Sequence, residues 1–491
     1  MDINELKNII KDEDRIFFGS QIPEEYLADT FGRFRTEADA LVFPLSTEEV
    51  SSILKFAHEH KIPVTPRGAG TNLVGSTVPL DKGIIVDMSK MNNILEIDEE
   101  TMTATVEAGI LLCDFQEYLK NGNTGLFYPP DPGEKASSIG GNIATNAGGM
   151  RAVKYGVTRD YVRGLEVVKA DGTVLHLGGK NVKDASGLSL KHLFIGSEGT
   201  LGIITKCILK LVPAPVYSLS VLVPFKNLQD GIANVLRILK SNTDPTAVEF
   251  VERNVIELGE KFCNLKYPCP EAGSYIILTF DGNESSVREN AEKVRKLTLE
   301  HGAMDYIILD DPQLLADIWK VRGCLVKAVD AVSKQEPVDI VVPINKIVDI
   351  MAFVNELSDR TKMKMIGFGH AGDGNVHLCV LREDRDEETW DRELHENMDI
   401  LYSKAYELGG LTSGEHGIGI SKQRYFLKGS NPANIEMMNE IKDALDPLHI
   451  LNNNEGVKAV DFIKQDVLIQ NDKQRLDGKT DYINCSVQYP N

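Results

Sequence analysis

The chain has 491 residues, of which 42% are hydrophobic and 26% charged, as expected of a globular protein with about two or three domains. Its formal net charge of −20 makes nucleic acid and anionic membrane surfaces poor partners, because like charges repel. No apolar run approaches the roughly 18 residues of a membrane span, and the first residues are charged. We therefore expect no integral membrane segment and no secretory signal.

The cysteines bear on the redox chemistry and on the compartment. The seven cysteines form no C-x-x-C pair, which argues against a zinc ribbon, an iron–sulfur cluster and a disulfide framework. We expect reduced thiols in a cytoplasmic protein. If the protein passes electrons on, any iron–sulfur cluster must lie on another subunit.

The first part of the chain alternates helical and strand patterns. Residues 46–60 predict a helix that begins with a capping box of Ser46 and Glu49. The segments IPVTP and GIIVDM predict strands on either side of a glycine-rich loop, which favours an α/β or α+β domain. Residues 128–164 show little periodicity, and so long a loop inside a domain is usually a binding loop.

Prolines in KLVPAPV, residues 210–216, mark the predicted end of this domain. Beyond them, strand patterns alternate with helical patterns, at 218–225, 229–240, 274–280, 285–301 and 336–344. The predicted parts are a first domain of two α+β subdomains (1–216), a substrate-binding cap domain (217–425), a C-terminal segment (426–458) and an extension (459–491).

Three glycine-rich clusters are candidates to hold a large polar cofactor, at 67–76, 137–149 and 196–202. Glycine lets backbone amides approach an anion closely, which is how proteins hold a pyrophosphate. The chain lacks both the G-x-G-x-x-G opening of a dinucleotide-binding helix and a G-x-x-x-x-G-K-[ST] loop, so nicotinamide and ATP are disfavoured. The alternative is that each cluster is an ordinary turn.

Two further glycine-rich stretches carry titratable side chains. GFGHAGDGNVH places His370 and His377 on the two sides of a predicted tight turn, and SGEHGIG places Glu415 beside His416. Two imidazoles and one carboxylate form a metal site with open positions, and His416 would serve as general base. Either histidine alone is more often structural, but packing in a core does not explain all four groups.

Arg322 lies in a helical pattern, DIWKVRGCLVKAV. Its planar guanidinium matches a carboxylate in two parallel hydrogen bonds. The alternative, an arginine on a solvated helix face, is at least as compatible with the spacing.

The segments PRGAGTNLVGS, PPDPGEKASSIGGNIATNAGG, GSEGTLGIIT, GHAGDGNVH and SGEHGIG together resemble the FAD-linked D-2-hydroxy-acid dehydrogenases. These belong to the vanillyl-alcohol-oxidase-like flavoproteins and include D-lactate dehydrogenases, the FAD subunit of glycolate oxidase and D-2-hydroxyglutarate dehydrogenase. The resemblance covers residues 35–458. It implies an α+β fold, with an FAD-binding domain of the vanillyl-alcohol-oxidase type, a ferredoxin-like α+β cap and a C-terminal segment that returns to the FAD domain.

The resemblance also implies FAD and one divalent metal ion (zinc, iron or manganese). The residues implied to contact FAD are Pro66, Arg67, Gly68, Ala69, Gly70, Thr71, Asn72, Gly75, Ser76, Pro130, Asp131, Ser137, Ser138, Gly140, Gly141, Asn142, Thr145, Gly148, Glu198, Gly199, Ile204 and Asn453. His370, His377 and Glu415 resemble the family's metal ligands. His416 resembles its catalytic base, and Arg322 the arginine that holds the substrate carboxylate. In the implied reaction His416 takes the hydroxyl proton of the acid while a hydride passes to flavin N5.

The chain departs from the family pattern at three places. Thr71 stands where covalently flavinylated relatives carry histidine, which favours non-covalent FAD. A lysine that some relatives carry beyond the arginine is missing from EPVD, which argues against a second carboxylate on the substrate. The C-terminal ILNPGK-like motif reads ILNNNEGVK, which leaves the flavin contacts of residues 452–454 open.

These departures favour oxidation of D-lactate to pyruvate, with glycolate or another 2-hydroxy acid as the alternative substrate. A dehydrogenase would pass its electrons to an electron-transfer flavoprotein or an iron–sulfur subunit, and residues 459–491 are a candidate docking element. An oxidase would use oxygen instead. Two other classes stay open, a metal hydrolase and a non-catalytic flavin electron carrier.

Overall fold

The computed structural model describes residues 3–452, and these divide into two compact units. The first unit contains residues 3–147, 157–214 and 415–452, and the second contains residues 148–156 and 215–414. The sequence predicted the corresponding boundaries at 216/217 and 425/426. The predicted extension at 459–491 lies outside the described residues.

The described strands are two to nine residues long. In chain order they are β1 (Ile16–Phe18), β2 (Ala40–Val42), β3 (Val64–Arg67), β4 (Ile84–Asp87), β5 (Ile94–Asp98), β6 (Thr103–Glu107), β7 (Leu126–Phe127), β8 (Val162–Val168), β9 (Val174–Gly178), β10 (Ile203–Lys210), β11 (Val212–Pro213), β12 (Tyr217–Phe225), β13 (Ala247–Glu252), β14 (Ser274–Gly282), β15 (Ile307–Ile308), β16 (Gln335–Val341), β17 (Met365–His370) and β18 (Asn375–Leu381).

Helices occur in both units. In chain order they are α1 (Thr47–His60), α2 (Leu112–Asn121), α3 (Ile139–Thr145), α4 (Ala152–Tyr155), α5 (Lys191–Phe194), α6 (Leu228–Lys240), α7 (Arg253–Cys263), α8 (Glu284–Glu300), α9 (Pro312–Gly323), α10 (Leu325–Asp330), α11 (Ile347–Thr361), α12 (Glu387–Glu407), α13 (Gly419–Gly429) and α14 (Pro432–Leu445). None of these helices combines the length and the hydropathy that a membrane span requires.

The first unit contains two main sheets. One has the strand order β1-β2-β4-β3, in which β4 pairs in parallel with both neighbours, and the other is antiparallel with the order β5-β6-β10-β8-β9. Helix α1 begins where predicted, because Ser46 Oγ accepts a hydrogen bond of 3.3 Å from the Glu49 amide. Its apolar stripe is buried against β2, β3 and β4 in the core of this unit, through Val50, Ile53, Leu54 and Ala57.

The second unit is built on one antiparallel sheet with the order β15-β12-β14-β13-β17-β18-β16. Alternate residues of β14, Tyr275 and Ile277, share a buried cluster with apolar side chains of α7, α9 and α10. Helices α6 and α8 contact β12 and β14. A sheet covered by helices in this way confirms the predicted α+β class for the described chain.

Residues 128–164 are more regular than the sequence indicated. The stretch contains the short helices α3 and α4 and the start of β8. Glycines and small polar residues break the apolar periodicity there. The short helices therefore form without the sequence pattern that would have predicted them.

Candidate functional site

The three glycine-rich clusters meet within the first unit, in the residues 67–76, 137–147 and 196–202. A Cβ atom on Gly68 would overlap Ser138 Oγ, and one on Gly199 would lie 2.6 Å from Pro66 Cγ. The 67–76 loop therefore contacts the 137–149 cluster, and Pro66 directly before it contacts the 196–202 cluster, at positions where only glycine leaves room. An ordinary turn needs no such approach by a second and a third loop.

The 67–76 loop presents a row of backbone amides. Among the described residues, the amides of residues 68–73 donate no hydrogen bond, whereas the loop's shape is fixed from within. Asn72 Oδ1 accepts from the Val74 and Ser76 amides at 3.3 and 3.0 Å, and Asn72 Nδ2 donates to Thr77 Oγ1 at 2.9 Å. Successive amides without a protein acceptor suit an anionic group such as a pyrophosphate, so this loop fits FAD.

The 137–149 cluster forms a tight wall beside that loop. Ser138 Oγ caps α3 by accepting from the Gly141 amide at 3.2 Å, and a Cβ on Gly140 would lie 2.7 Å from Ala108 Cβ. Ser137 Oγ is buried and makes no hydrogen bond to any described residue, so a polar partner is missing there. Gly148 falls in the 148–156 segment of the second unit.

Several predicted FAD contacts have side chains engaged by the first unit itself. The Arg67 guanidinium lies 4.7 Å from the Tyr26 ring centre and donates to the Glu25 carbonyl, and Asp131 forms an ion pair with Lys135. The remaining predicted contacts of this unit are on the loops or beside them: Pro66, Ala69, Gly70, Thr71, Gly75, Pro130, Thr145 and Ile204. Asn453 lies outside the described residues.

Glu198 fixes the segment that carries Glu415 and His416. Its carboxylate accepts hydrogen bonds from the Ile418 amide at 2.9 Å and the Gly419 amide at 3.1 Å. A Cβ on Gly417 would overlap Glu198 Oε1, so glycine is required there. The predicted contact of Glu198 with FAD stays a prediction, while its carboxylate oxygens hold this segment of the chain.

Asn452, the last described residue, joins two of the glycine clusters. Asn452 Nδ2 donates to the Ser76 carbonyl at 2.9 Å and to the Glu198 carbonyl at 2.8 Å. Asn452 therefore contacts two of the glycine-rich loops, although the motif in which it lies differs from the family pattern.

In the second unit, His370 and His377 come together as the turn pattern predicted. They lie on the hairpin of β17 and β18, in which His370 pairs with Asn375 and Phe368 with His377. Their ring centres are 5.0 Å apart and the rings are nearly perpendicular, and both side chains are buried. Two buried imidazoles this close have the donor chemistry of a divalent metal site.

Glu249 contacts His370 of this pair, and it was not identified from the sequence. It lies on β13 directly opposite His370 and is fully buried. Glu249 Oε1 forms a hydrogen bond of 2.7 Å with His370 Nδ1, and Oε2 accepts one of 2.6 Å from Arg322 Nη2. Burial alone would raise the pKa of the Glu249 carboxyl, but its interactions with His370 and Arg322 lower it.

Arg322 is buried near the end of α9, so the alternative of a solvated helix arginine is wrong. Its guanidinium carbon lies 4.8 Å from the Phe368 ring centre, and Nη2 is bonded to Glu249. Arg322 Nε is buried and has no hydrogen-bond partner among the described residues. A buried donor of this kind calls for an acceptor, and a ligand carboxylate would supply one.

Asp339 is a second fully buried carboxylate that the sequence did not single out. Its oxygens accept from Asn375 Nδ2 at 2.7 Å, Ser413 Oγ at 2.7 Å and the Gly414 amide at 3.1 Å. His377 Nδ1 lies 3.9 Å from Oδ1. Asp339 therefore anchors the chain at Gly414, from which one peptide bond leads to Glu415.

Two known protein families match the chain. Residues 38–178 match the family described as "FAD binding domain", and residues 214–455 match "FAD linked oxidases, C-terminal domain". The chain is 42% identical to a D-lactate dehydrogenase of Anaerostipes hadrus over 448 residues, 89% of this chain and 94% of that protein. It is 36% identical to the glycolate oxidase subunit GlcD of Bacillus subtilis, over 87% of this chain and 90% of that protein.

The fold has a solved counterpart as well. A substrate-bound p-cresol methylhydroxylase superposes with a TM-score of 0.76 at 18% identity, over 92% of this chain and 96% of the other. These findings confirm the predicted fold class and the predicted family. The protein is an FAD-linked oxidoreductase and belongs to the family of FAD-linked oxidases that includes the two relatives above.

Proposed function

We propose that this enzyme oxidises a D-2-hydroxy acid, with D-lactate as substrate and pyruvate as product. The observation that carries the proposal is the buried Arg322, whose Nε lacks an acceptor among the described residues, linked through Glu249 to His370. The relative at 42% identity is named a D-lactate dehydrogenase, which supports this choice of acid. Glycolate is the second candidate, because another relative is named as a glycolate oxidase subunit.

In the proposed site, Arg322 holds the substrate carboxylate. One face of the guanidinium lies against Phe368 and Nη2 is held by Glu249, which leaves Nε to donate to the carboxylate of the acid. A lysine that would hold a second carboxylate is missing from the EPVD segment, which lies at the start of β16. The site should therefore prefer a monocarboxylate to 2-hydroxyglutarate.

His370, His377 and Glu415 are the proposed metal ligands, and His416 is the proposed general base. His370 Nδ1 is bonded to Glu249, so a metal ion would bind the other ring nitrogen, Nε2. When bound, a divalent metal ion lowers the pKa of the substrate hydroxyl, and FAD accepts the hydride. His416 receives the hydroxyl proton on a ring nitrogen, and Arg322 keeps the acid in place during that transfer.

FAD is proposed to lie along the three glycine-rich clusters, held without a covalent bond. The free amides of residues 68–73 suit its pyrophosphate, and Ser137 Oγ and Asn142 line the neighbouring wall. Position 71 is threonine, which lacks the imidazole that would form a covalent link. Precipitation with acid should therefore release all of the flavin into solution.

The electron acceptor is proposed to be a separate protein, an electron-transfer flavoprotein or an iron–sulfur subunit. No cysteine spacing in the sequence suits an iron–sulfur cluster of its own. An oxidase would form about one peroxide per acid oxidised in air, whereas the proposed dehydrogenase forms little and needs an added acceptor. Deletion of residues 459–491 should leave FAD bound and slow only the electron transfer to the partner. The proposed cytoplasmic location is tested separately by cell fractionation.

An anaerobic visible spectrum tests the substrate assignment. The purified protein is mixed with D-lactate, and separately with L-lactate, glycolate and D-2-hydroxyglutarate. We expect a yellow flavin band that D-lactate bleaches rapidly and the other three acids bleach slowly or not at all. A band that none of them bleaches would exclude these substrates while leaving the flavin in place.

A further inference from the structure

We infer that Glu249 is a positioning residue that holds the substrate arginine and one metal-ligand histidine in a single arrangement. This role rests on the proposed function, because there Arg322 binds the acid and His370 binds the metal ion. Glu249 belongs to none of the glycine-rich motifs. It is placed by the pairing of β13 with β17.

The geometry gives each carboxylate oxygen one partner. Oε2 accepts from Arg322 Nη2 at 2.6 Å, and Oε1 lies 2.7 Å from His370 Nδ1. The side chain is fully buried, and its backbone is held in the middle of a sheet with β14 on one side and β17 on the other. The carboxylate is therefore a fixed bridge between two functional groups that come from different elements, α9 and β17.

Each bond sets the orientation of a group that faces the ligands. A hydrogen bond from His370 Nδ1 to the carboxylate fixes the ring and its tautomer, which leaves Nε2 unprotonated for a metal ion. A bond from Nη2 fixes the plane of the guanidinium, and Nε stays available to a substrate carboxylate. Movement of Glu249 would therefore disturb metal binding and acid binding together.

Glutamine at this position has nearly the same shape but one acceptor oxygen in place of two. In Glu249→Gln, that oxygen can accept from Arg322 or from His370, and the amide group would face the other donor. The charge that offsets the buried guanidinium is also lost. We expect weaker metal binding and weaker acid binding in one variant, although no ligand is touched directly.

Glu260 offers a matched control in the same unit. It is buried, its Oε2 accepts from Arg253 Nη2 at 2.9 Å, and its Oε1 accepts from the Tyr267 amide at 2.8 Å. Glu260→Gln therefore breaks a buried Glu–Arg ion pair of the same kind, away from the histidines. Both variants should therefore lose folding stability, whereas only Glu249→Gln should change metal binding and acid binding.

The test compares wild type, Glu249→Gln and Glu260→Gln as full-length, FAD-loaded proteins. Zn²⁺ affinity is measured against a competing chelator, and the KM and kcat for D-lactate are measured with an artificial acceptor. For Glu249→Gln we expect Zn²⁺ affinity to fall about 10- to 100-fold and KM to rise about tenfold or more, with an unchanged flavin spectrum. Glu260→Gln should lower Tm but keep the wild-type Zn²⁺ affinity and KM.

The positioning role is overturned if Glu249→Gln matches Glu260→Gln in Zn²⁺ affinity and in KM. If Glu249→Gln does not fold, Glu249→Asp replaces it, since the shorter side chain keeps the charge but cannot reach both partners. Wild-type Zn²⁺ affinity and KM in Glu249→Asp would then overturn the role.

If D-lactate does not reduce the wild-type flavin, the proposed function fails, and the Zn²⁺ titration still decides the role of Glu249. A wild-type protein that binds no Zn²⁺ would also overturn it.

Discussion

The two units present different chemistry to their ligands. In the first unit the 67–76 loop offers backbone amides, and glycines let three segments approach one another. In the second unit the proposed site consists of buried charged side chains, with Glu249 joined to Arg322 and His370. A backbone surface tolerates changes of side chain but not the loss of a glycine, whereas a charge cluster fails when one member is removed. Damage to the first unit should therefore appear in the flavin colour, and damage to the second in the turnover of the acid.

The largest effect is expected from a proposed metal ligand. In His377→Ala we expect kcat/KM for D-lactate to fall about 100-fold or more, because a divalent ion contributes several kcal/mol to the transition state. The flavin spectrum should not change. His395→Ala on α12 is the matched control, because this partly exposed histidine pairs with Asp391 on its own helix and should keep full activity. Wild-type kcat/KM in His377→Ala would exclude a metal role for His377.

Substitution of a glycine in the first unit should instead weaken flavin binding. Gly68→Val would drive its side chain into Ser138, the cap of α3, and should weaken FAD binding about tenfold or more. The ratio of absorbance at the flavin band to that of the protein measures the loss. Gly133→Ala is the control, since its Cβ would meet open space. If Gly68→Val retained full flavin, the close approach of the two loops would not matter for the cofactor.

A smaller effect, on folding stability, is expected from Glu252, which lies on β13 with Glu249 but has a pKa shifted in the opposite direction. Glu249 is held by charged partners, whereas burial raises the pKa of Glu252 from 4.5 to about 7. A raised folded-state pKa means that Glu252 favours folding below pH 4.5 and loses that contribution as the pH rises through about 7. Glu252→Gln should therefore be more stable than wild type at pH 8 by about 1 kcal/mol or more. Urea unfolding at pH 5 and pH 8 measures this, and an equal pH dependence in both proteins would contradict it.

The sequence was most informative where a structural feature is local. The capping residue Ser46, the hairpin of His370 and His377 and the glycine-rich loops all depend on neighbours within a few residues. Glu249 and Asp339 escaped notice because each is one acidic residue in an apolar strand, AVEFVE and QEPVDIV. Their importance comes from strand pairing and from partners that are distant in the sequence. A buried charge within a strand was the only local signal, and its partners could not be read from it.

The burial of Arg322 could not be predicted from local sequence either. Its helix was predicted, but the helical pattern gave equal weight to a solvated and a buried position. The choice was decided by Glu249, which lies 73 residues away in the chain. Glu198 is similar, since no local pattern indicated that its carboxylate holds residues 418 and 419.

The first unit is proposed to carry the flavin, and Arg322 of the second unit is proposed to hold the acid. Anaerobic flavin reduction by increasing concentrations of D-lactate tests this claim in wild type and in Arg322→Gln. We predict that the variant keeps the wild-type flavin spectrum, while the D-lactate concentration for half-maximal reduction rate rises about tenfold or more. An unchanged half-saturating concentration in a folded, yellow Arg322→Gln protein would contradict the claim.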